Sequence, residues 1–411
     1  MSTRIRITQL LALAGLAACN PDDALVAGGG SAGPAAWTTG QSAEAVLGAT
    51  AVGLPGSGAV TQNSFKGAGG LALSPTGTLF VQDNGAFRVL RFDHADTVAS
   101  GAKADGVLGQ KDFVSSIRNA GLAGDVPVRN GFSDGLGIAV DVNGNLYLSD
   151  SRNTRVLRFD AAQGKVNGAS ADGVLGQLTF VTNGYNTSAS AFIAVAGVVT
   201  DAGGRVWVAD GANNRVLRFD NAIALANGSA ASGVLGQPDF TTRTSGTSDR
   251  KMSSPTSLTV DAAGNLYVGE RGNHRVLVFW NAAAKPNGAG ADRVLGQKTF
   301  IAGADNAVVG TQANIYLPYA LTTDLKGNLY VADGGFNRVL IFYDAARKGN
   351  GAFADVVLGK RSFTDISTTT ASASTFGQPY GIAVQSSTGK LWVSDHVNSR
   401  VLRFQARAPL Q

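Results

Sequence analysis

The sequence predicts an all-β fold, a six-bladed β-propeller of four-stranded antiparallel blades closed by an N-terminal strand that completes the last blade. Three observations predict it. One unit recurs six times, each copy carries four strand signals, and a strand left over at the N-terminus matches one missing at the C-terminus.

Two markers keep the beat of the repeat. The first is GTLFVQDNGAFRVLRFD from Gly77, GNLYLSDSRNTRVLRFD from Gly144, GRVWVADGANNRVLRFD from Gly204, GNLYVGERGNHRVLVFW from Gly264, GNLYVADGGFNRVLIFY from Gly327 and GKLWVSDHVNSRVLRFQ from Gly389. Their spacings are 67, 60, 60, 63 and 62 residues. The second is VLG, beginning at Val107, Val174, Val234, Val294 and Val357 and followed by Phe113, Phe180, Phe240, Phe300 and Phe363.

Each unit gives its strands in order. The first precedes the glycine turn, as GIAVD precedes Asn143-Gly144, and the turn folds it into a hairpin. The second resembles LYVAD, with Phe80, Tyr147, Trp207, Tyr267, Tyr330 and Trp392 at one position. The third resembles RVLRF and ends in Phe92, Phe159, Phe219, Phe279, Phe342 and Phe404. The fourth is VLGQ. Strands two and three are apolar on both faces, as expected of sheets packed between neighbouring sheets.

The last unit stops soon after Phe404 without a VLG strand of its own, while a sixth VLG at Val46 precedes the first unit. Placing Val46–Gly48 in the last blade completes it and removes an open sheet edge.

The pattern GNLYVAD…NRVLRF resembles the NHL-repeat family, whose signature joins a glycine turn, a strand ending in Asp, a short loop and Asn/His-Arg-Val. The resemblance covers residues 44–405. It implies the propeller and a choice of roles: protein-binding module, RNA-binding platform or, in related propellers, lyase or lactonase. One fold hosts many functions, so the site must decide among them.

Asp83, Asp150, Asp210, Glu270, Asp333 and Asp395 recur five residues before Arg88, Arg155, Arg215, Arg275, Arg338 and Arg400. A pair present in every blade reads as structural, because buried charges need partners and catalysis needs differently tuned groups. His94 follows a third strand, whereas His274 and His396 sit between strands two and three, on the opposite face. Three such histidines do not converge on zinc and read as loop residues. NHL-type amidating lyases use several histidines for their metal, and gluconolactonase-type propellers place acids and amides in the channel for calcium. Here the channel strands are aliphatic or threonine, and Asp141, Asp201, Asp261 and Asp324 stand at strand ends as turn formers. No catalytic residue, metal site or cofactor is therefore expected.

The segments after each VLGQ-Phe element vary and shape one face around the channel mouth; loops on a rigid scaffold are where function resides. Arg118, Arg129, Tyr185, Arg243, Arg250, Lys251, Tyr316, Tyr319 and Tyr380 lie in or beside them as candidate binding residues. Basic and aromatic side chains suit anionic or sugar-like partners.

The N-terminus reads as an export address. Arg4 and Arg6 precede an apolar run from Leu10 to Ala18, too short to span a bilayer. Leu16-Ala17-Ala18-Cys19 resembles the bacterial lipobox, which implies a signal peptide over 1–18 and lipidation of Cys19, the one cysteine of the chain. Asn20 after the cysteine favours the outer membrane of a two-membrane envelope. Residues 19–40 read as a flexible tether, 41–405 as the propeller and 406–411 as a tail.

Composition sets the outer limits. The 411 residues are 44% hydrophobic and 15% charged, which is foldable and not disordered. The net charge of +5 falls to about +3 without Arg4 and Arg6, too weak for a nucleic-acid footprint. The expectation is an exported, monomeric binding scaffold for an envelope protein or glycan, touching membrane only through its lipid. The alternative is an exported hydrolase or lyase with a metal in the channel.

Overall fold

The computed structural model describes residues 36–407, apart from 122–124, 304–308, 368–369 and 386. Among these residues, twenty-four strands form six separate four-stranded antiparallel sheets. Blade one runs outward as Ala68–Leu73, Leu79–Asp83, Arg88–Phe92 and Gly106–Leu108. Blades two to five repeat this order. Blade six takes Pro379–Gln385, Lys390–Asp395 and Arg400–Gln405, with Ala45–Leu47 as its outermost strand. There Ala45 pairs with Arg403, Val46 with Leu402 and Leu47 with Val401, so the two ends of the chain share one sheet.

Local chemistry sets each blade. At the first hairpin Asp141 Oδ1 accepts the amides of Asn143 and Asn145, both at 2.9 Å, and its other oxygen accepts Asn145 Nδ2 at 2.8 Å. Asp201, Asp261 and Asp324 cap their turns in the same way. The strand-end acids thus form turns. The outermost strand stops at a glycine with positive φ, +84° at Gly109, where a Cβ would strike the Phe132 ring.

The core is distributed among the blade interfaces. Six hydrophobic clusters form, one between each pair of neighbouring blades. Between blades one and two, Phe80, Val89 and Leu108 pack on Leu146, Leu157 and Phe159. Polar latches register the blades. Asn167 of blade two accepts the Val107 amide of blade one at 3.0 Å, and Asn227 and Asn287 do the same one and two blades on. Arg158 donates to Ile223 O and Arg218 to Ala283 O, both at 2.7 Å. Arg403 closes the circle by donating to Ala95 O of blade one at 2.9 Å.

The folded chain reaches further toward the N-terminus than the tether expected over 19–40. Trp37 is buried, meets Tyr330 edge to face at 6.1 Å, and donates from Nε1 to the Tyr330 hydroxyl at 2.9 Å. Ala36 bridges Arg407, and Ala406 is buried, so the first residues of the expected C-terminal tail are also held. Cys19 and the signal segment lie outside the described residues.

Candidate functional site

The antiparallel order gives the ring two faces. One carries the turns between strands one and two and the connections between strands three and four. The other carries the short loops between strands two and three and the long connections from one blade to the next.

The recurring acid–arginine pairs lie under the second face. Arg155 Nε bonds Asp150 Oδ2 at 2.8 Å and Arg338 Nε bonds Asp333 Oδ2 at 2.7 Å; all six pairs have both side chains fully buried. Each arginine also grips the long connections. Arg338 donates to Asn314 O at 2.8 Å on the incoming segment and to Phe363 O at 2.6 Å on the outgoing one. The acid receives the incoming backbone too, as Asp333 Oδ1 accepts the Tyr316 amide at 2.7 Å. Burial raises the carboxyl groups of Asp83, Asp150, Glu270 and Asp395 despite their arginines, and Asp333 to about 6. Groups this deep hold the loops.

The residue before each arginine has positive φ: Phe87, Thr154, Asn214, His274, Asn337 and Ser399 lie between 49° and 53°. Asparagine tolerates this left-handed conformation, which accounts for the Asn-Arg-Val signature.

Around the axis the first strands converge until only small residues fit. Gly70, Gly137, Gly197, Ser257, Ala320 and Gly381 form a waist with a volume of about 40 Å³. A Cβ on Gly70 would lie 2.6 Å from Leu136 O, and one on Gly197 2.8 Å from Thr256 O. Ser257 instead donates from Oγ to Pro318 O at 3.0 Å. Toward the first face the channel opens into a chamber of about 170 Å³ lined by aliphatic, alanine and threonine side chains.

Toward the second face lies a mouth of about 590 Å³. It is bounded by Tyr380 and His396 from blade six, Lys66 and Asn84 from blade one, and Asp134 and Arg152 from blade two. The His396 ring stacks on Tyr380 with centroids 4.2 Å apart and planes at 16°, and its Nδ1 lies 3.1 Å from Ala68 O. Tyr319 backs Tyr380 at 4.4 Å, and the Arg271 guanidinium lies over Tyr319 at 5.6 Å. Burial, reinforced by Tyr319, pushes the Tyr380 phenol up to about 12, so it remains a protonated donor.

Of the nine candidate binding residues, the structure gathers three at or beneath the mouth: Arg118, Tyr319 and Tyr380. Arg118 reaches it while bound to Asp125 at 3.0 Å and lying over Phe87. Tyr316 belongs to the next sector, between His274 at 4.7 Å and Phe336 at 5.4 Å. Arg129 turns outward, donating twice to Ala171 O and covering Phe180 at 4.6 Å. Arg250 likewise donates to Gly288 O at 2.9 Å, next to the outer edge of blade three. Arg243 and Lys251 are exposed on the same connection, and Tyr185 is exposed outside the mouth.

Sequence reading assigned His396 to an ordinary loop, whereas it lines the mouth. The signal was a break in the repeat. The residue after the acid runs Asn84, Ser151, Gly211, Arg271, Gly334, His396, and the residue before the waist runs Gly69, Leu136, Ala196, Thr256, Tyr319, Tyr380. His94 is on the opposite face. Among the described residues no three His, Cys, Asp or Glu side chains converge as they would around a metal ion.

A family model described as the NHL repeat matches residues 252–279, which span the first three strands of blade four. No curated protein matches the chain. Among solved structures, the chain is similar to a Bacteroides thetaiotaomicron protein of unknown function at 17% identity and a TM-score of 0.52, over 89% of this chain and 75% of that one. It is similar to an auxiliary nutrient binding protein of the same organism at 14% identity and a TM-score of 0.52, over 83% and 69%. A gluconolactonase of Xanthomonas campestris aligns at 15% identity and a TM-score of 0.47, over 91% and 98%. At these identities the likeness concerns the fold alone. The chain is a six-bladed β-propeller whose fourth blade matches the NHL repeat.

Proposed function

We propose that the chain is a binding scaffold of the cell envelope and that its ligand, a protein or a glycan, engages the mouth on the second face. One observation carries this reading: the repeat is uniform where it builds the ring and individual at the mouth. All six acid–arginine pairs are kept, while the positions facing the mouth range from Gly69 to Tyr380 and from Gly211 to His396. A ring that only needed to fold would have no use for that asymmetry.

Export with lipidation of Cys19 belongs to the same proposal, with the outer membrane as the anchoring surface. The described chain starts at Ala36, beside Arg407 at the end of the last strand, on the face away from the mouth.

The test is capture of partners from the native envelope with the intact, lipidated chain. Loss of a partner on Tyr380→Ala or Arg152→Ala, with no loss on Arg243→Ala or on Leu325→Ala at an exposed turn of the opposite face, supports the reading. A partner lost only on Arg243→Ala and Lys251→Ala moves the site to the outer connections. Retention of every partner by all variants refutes the mouth.

A further inference from the structure

The mouth has a chemistry specific enough to name a ligand class. Asn84 Oδ1 is buried at its edge without a hydrogen-bond partner, and so are both amide atoms of Gln82. Gln82 is fully buried directly behind the wall: a Cβ on Gly135, which lines the mouth, would lie 2.8 Å from its Nε2. The equivalent positions in blades two and six are satisfied internally. Ser149 Oγ accepts the Gly137 amide at 2.8 Å and Ser394 Oγ accepts the Gly381 amide at 2.6 Å. Blade one alone of these three places an unpaired amide there. Buried polar groups in native proteins are paired, so the unpaired amide behind this wall sets blade one apart. The Asn84 amide and the Asp134 carboxylate, which line the cavity, offer a donor and an acceptor and call for a partner able to do both.

A hydroxyl group both donates and accepts, whereas a phosphate only accepts. Asp134 at the rim is exposed and also favours a hydroxyl over a phosphate. Lys66 and Arg152, both exposed and lining the same cavity, have no carboxylate within salt-bridge distance among the described residues, in contrast to Arg118. Tyr380, held on its ring by His396 and Tyr319, supplies a rigid aromatic wall. The volume of about 590 Å³ suits a small ligand or one residue of a chain rather than a polymer laid across it.

We propose that the mouth takes a carboxylate-bearing sugar residue of a glycan. Its apolar face lies beside the stacked Tyr380–His396 pair, its hydroxyls pair with Asn84 and Asp134, and its carboxylate is held by Lys66 and Arg152. This rests on the ligand-binding reading above and narrows it.

The experiment is calorimetric titration of the intact chain with galacturonate and glucuronate oligosaccharides against their neutral galactose and glucose counterparts. The expected result is acidic-sugar binding at least tenfold tighter than neutral-sugar binding, the difference shrinking in high salt. Lys66→Ala with Arg152→Ala removes the preference, and Tyr380→Ala removes binding while Tyr380→Phe largely retains it. Unchanged thermal unfolding of these variants excludes a folding defect. Equal affinity for neutral and acidic sugars overturns the carboxylate assignment, and salt-sensitive binding of single-stranded RNA in place of sugars overturns the ligand class. If no saccharide binds but a captured envelope protein is lost on Tyr380→Ala, this inference fails and the binding reading stands. If nothing captured depends on Tyr380, both fail.

Discussion

Asp333 Oδ2 accepts Arg338 Nε at 2.7 Å with both side chains fully buried, and the same guanidinium bonds the carbonyls of Asn314 and Phe363. One ion pair thereby ties two strands and two long connections at a single point. Removing one partner leaves a buried charge uncompensated. Arg338→Met is expected to cost about 3–5 kcal/mol in urea unfolding. Lys165→Ala, which breaks a partly exposed pair with Asp172, is expected to cost under about 1 kcal/mol. Equal losses would show that the repeat pairs are not stability elements.

Ring closure depends on Val46, fully buried where Ala45–Leu47 joins blade six. Deleting Glu44–Gly48 exposes a sheet edge and removes Glu44 from Arg403 and Lys390, which it meets at 2.7 and 3.2 Å. Thermal unfolding is expected to shift down for the whole ring and to broaden. An unchanged transition would mean the ring does not need this strand.

The waist admits no added carbon. Gly197→Ala brings a methyl to 2.8 Å from the Thr256 carbonyl and should destabilise by about 1–3 kcal/mol, whereas Gly184→Ala, with open space around it, should be near neutral. Denaturant midpoints with unchanged m-values check this.

Tyr330 ties the N-terminal segment to blade five through Trp37 Nε1 and also donates to Asp324 Oδ2 at 3.0 Å. Tyr330→Phe leaves the buried Trp37 Nε1 unpaired, while Asp324 Oδ2 keeps Asn328 Nδ2 at 2.8 Å, and is expected to cost about 1–3 kcal/mol. Truncation to residue 41 should cost a comparable amount, and no effect would return 36–40 to a mere tether.

The Tyr380 phenol titrates about 12 because burial disfavours its charged form. A folded-state pKa above the unfolded value of about 10 means its contribution is complete below pH 10 and lost as pH rises through 12. The phenolate absorbance difference between the native chain and Tyr380→Phe should therefore be flat below about pH 10. A step near pH 8 would mark Tyr380 as an activated base.

Much of this molecule is written in its sequence. Blade number, strand order and the acid–arginine pairing follow from short-range rules. Period-two strands, Asp-capped turns and a left-handed residue before each arginine are local, and six copies repeat the statement. What surrounds the axis was decided elsewhere. Arg118 and Arg129 occupy one connection, yet Arg118 borders the mouth while Arg129 crosses Phe180 toward the outer edge. Tyr380, Asn84 and Arg152 come from three blades, and ring closure brings them to one cavity. Hydrogen bonds within a blade depend on neighbours in the chain, so the sequence alone determined the scaffold. The direction a loop side chain takes, and what it meets across the axis, depend on packing between distant segments, which only the tertiary structure decided.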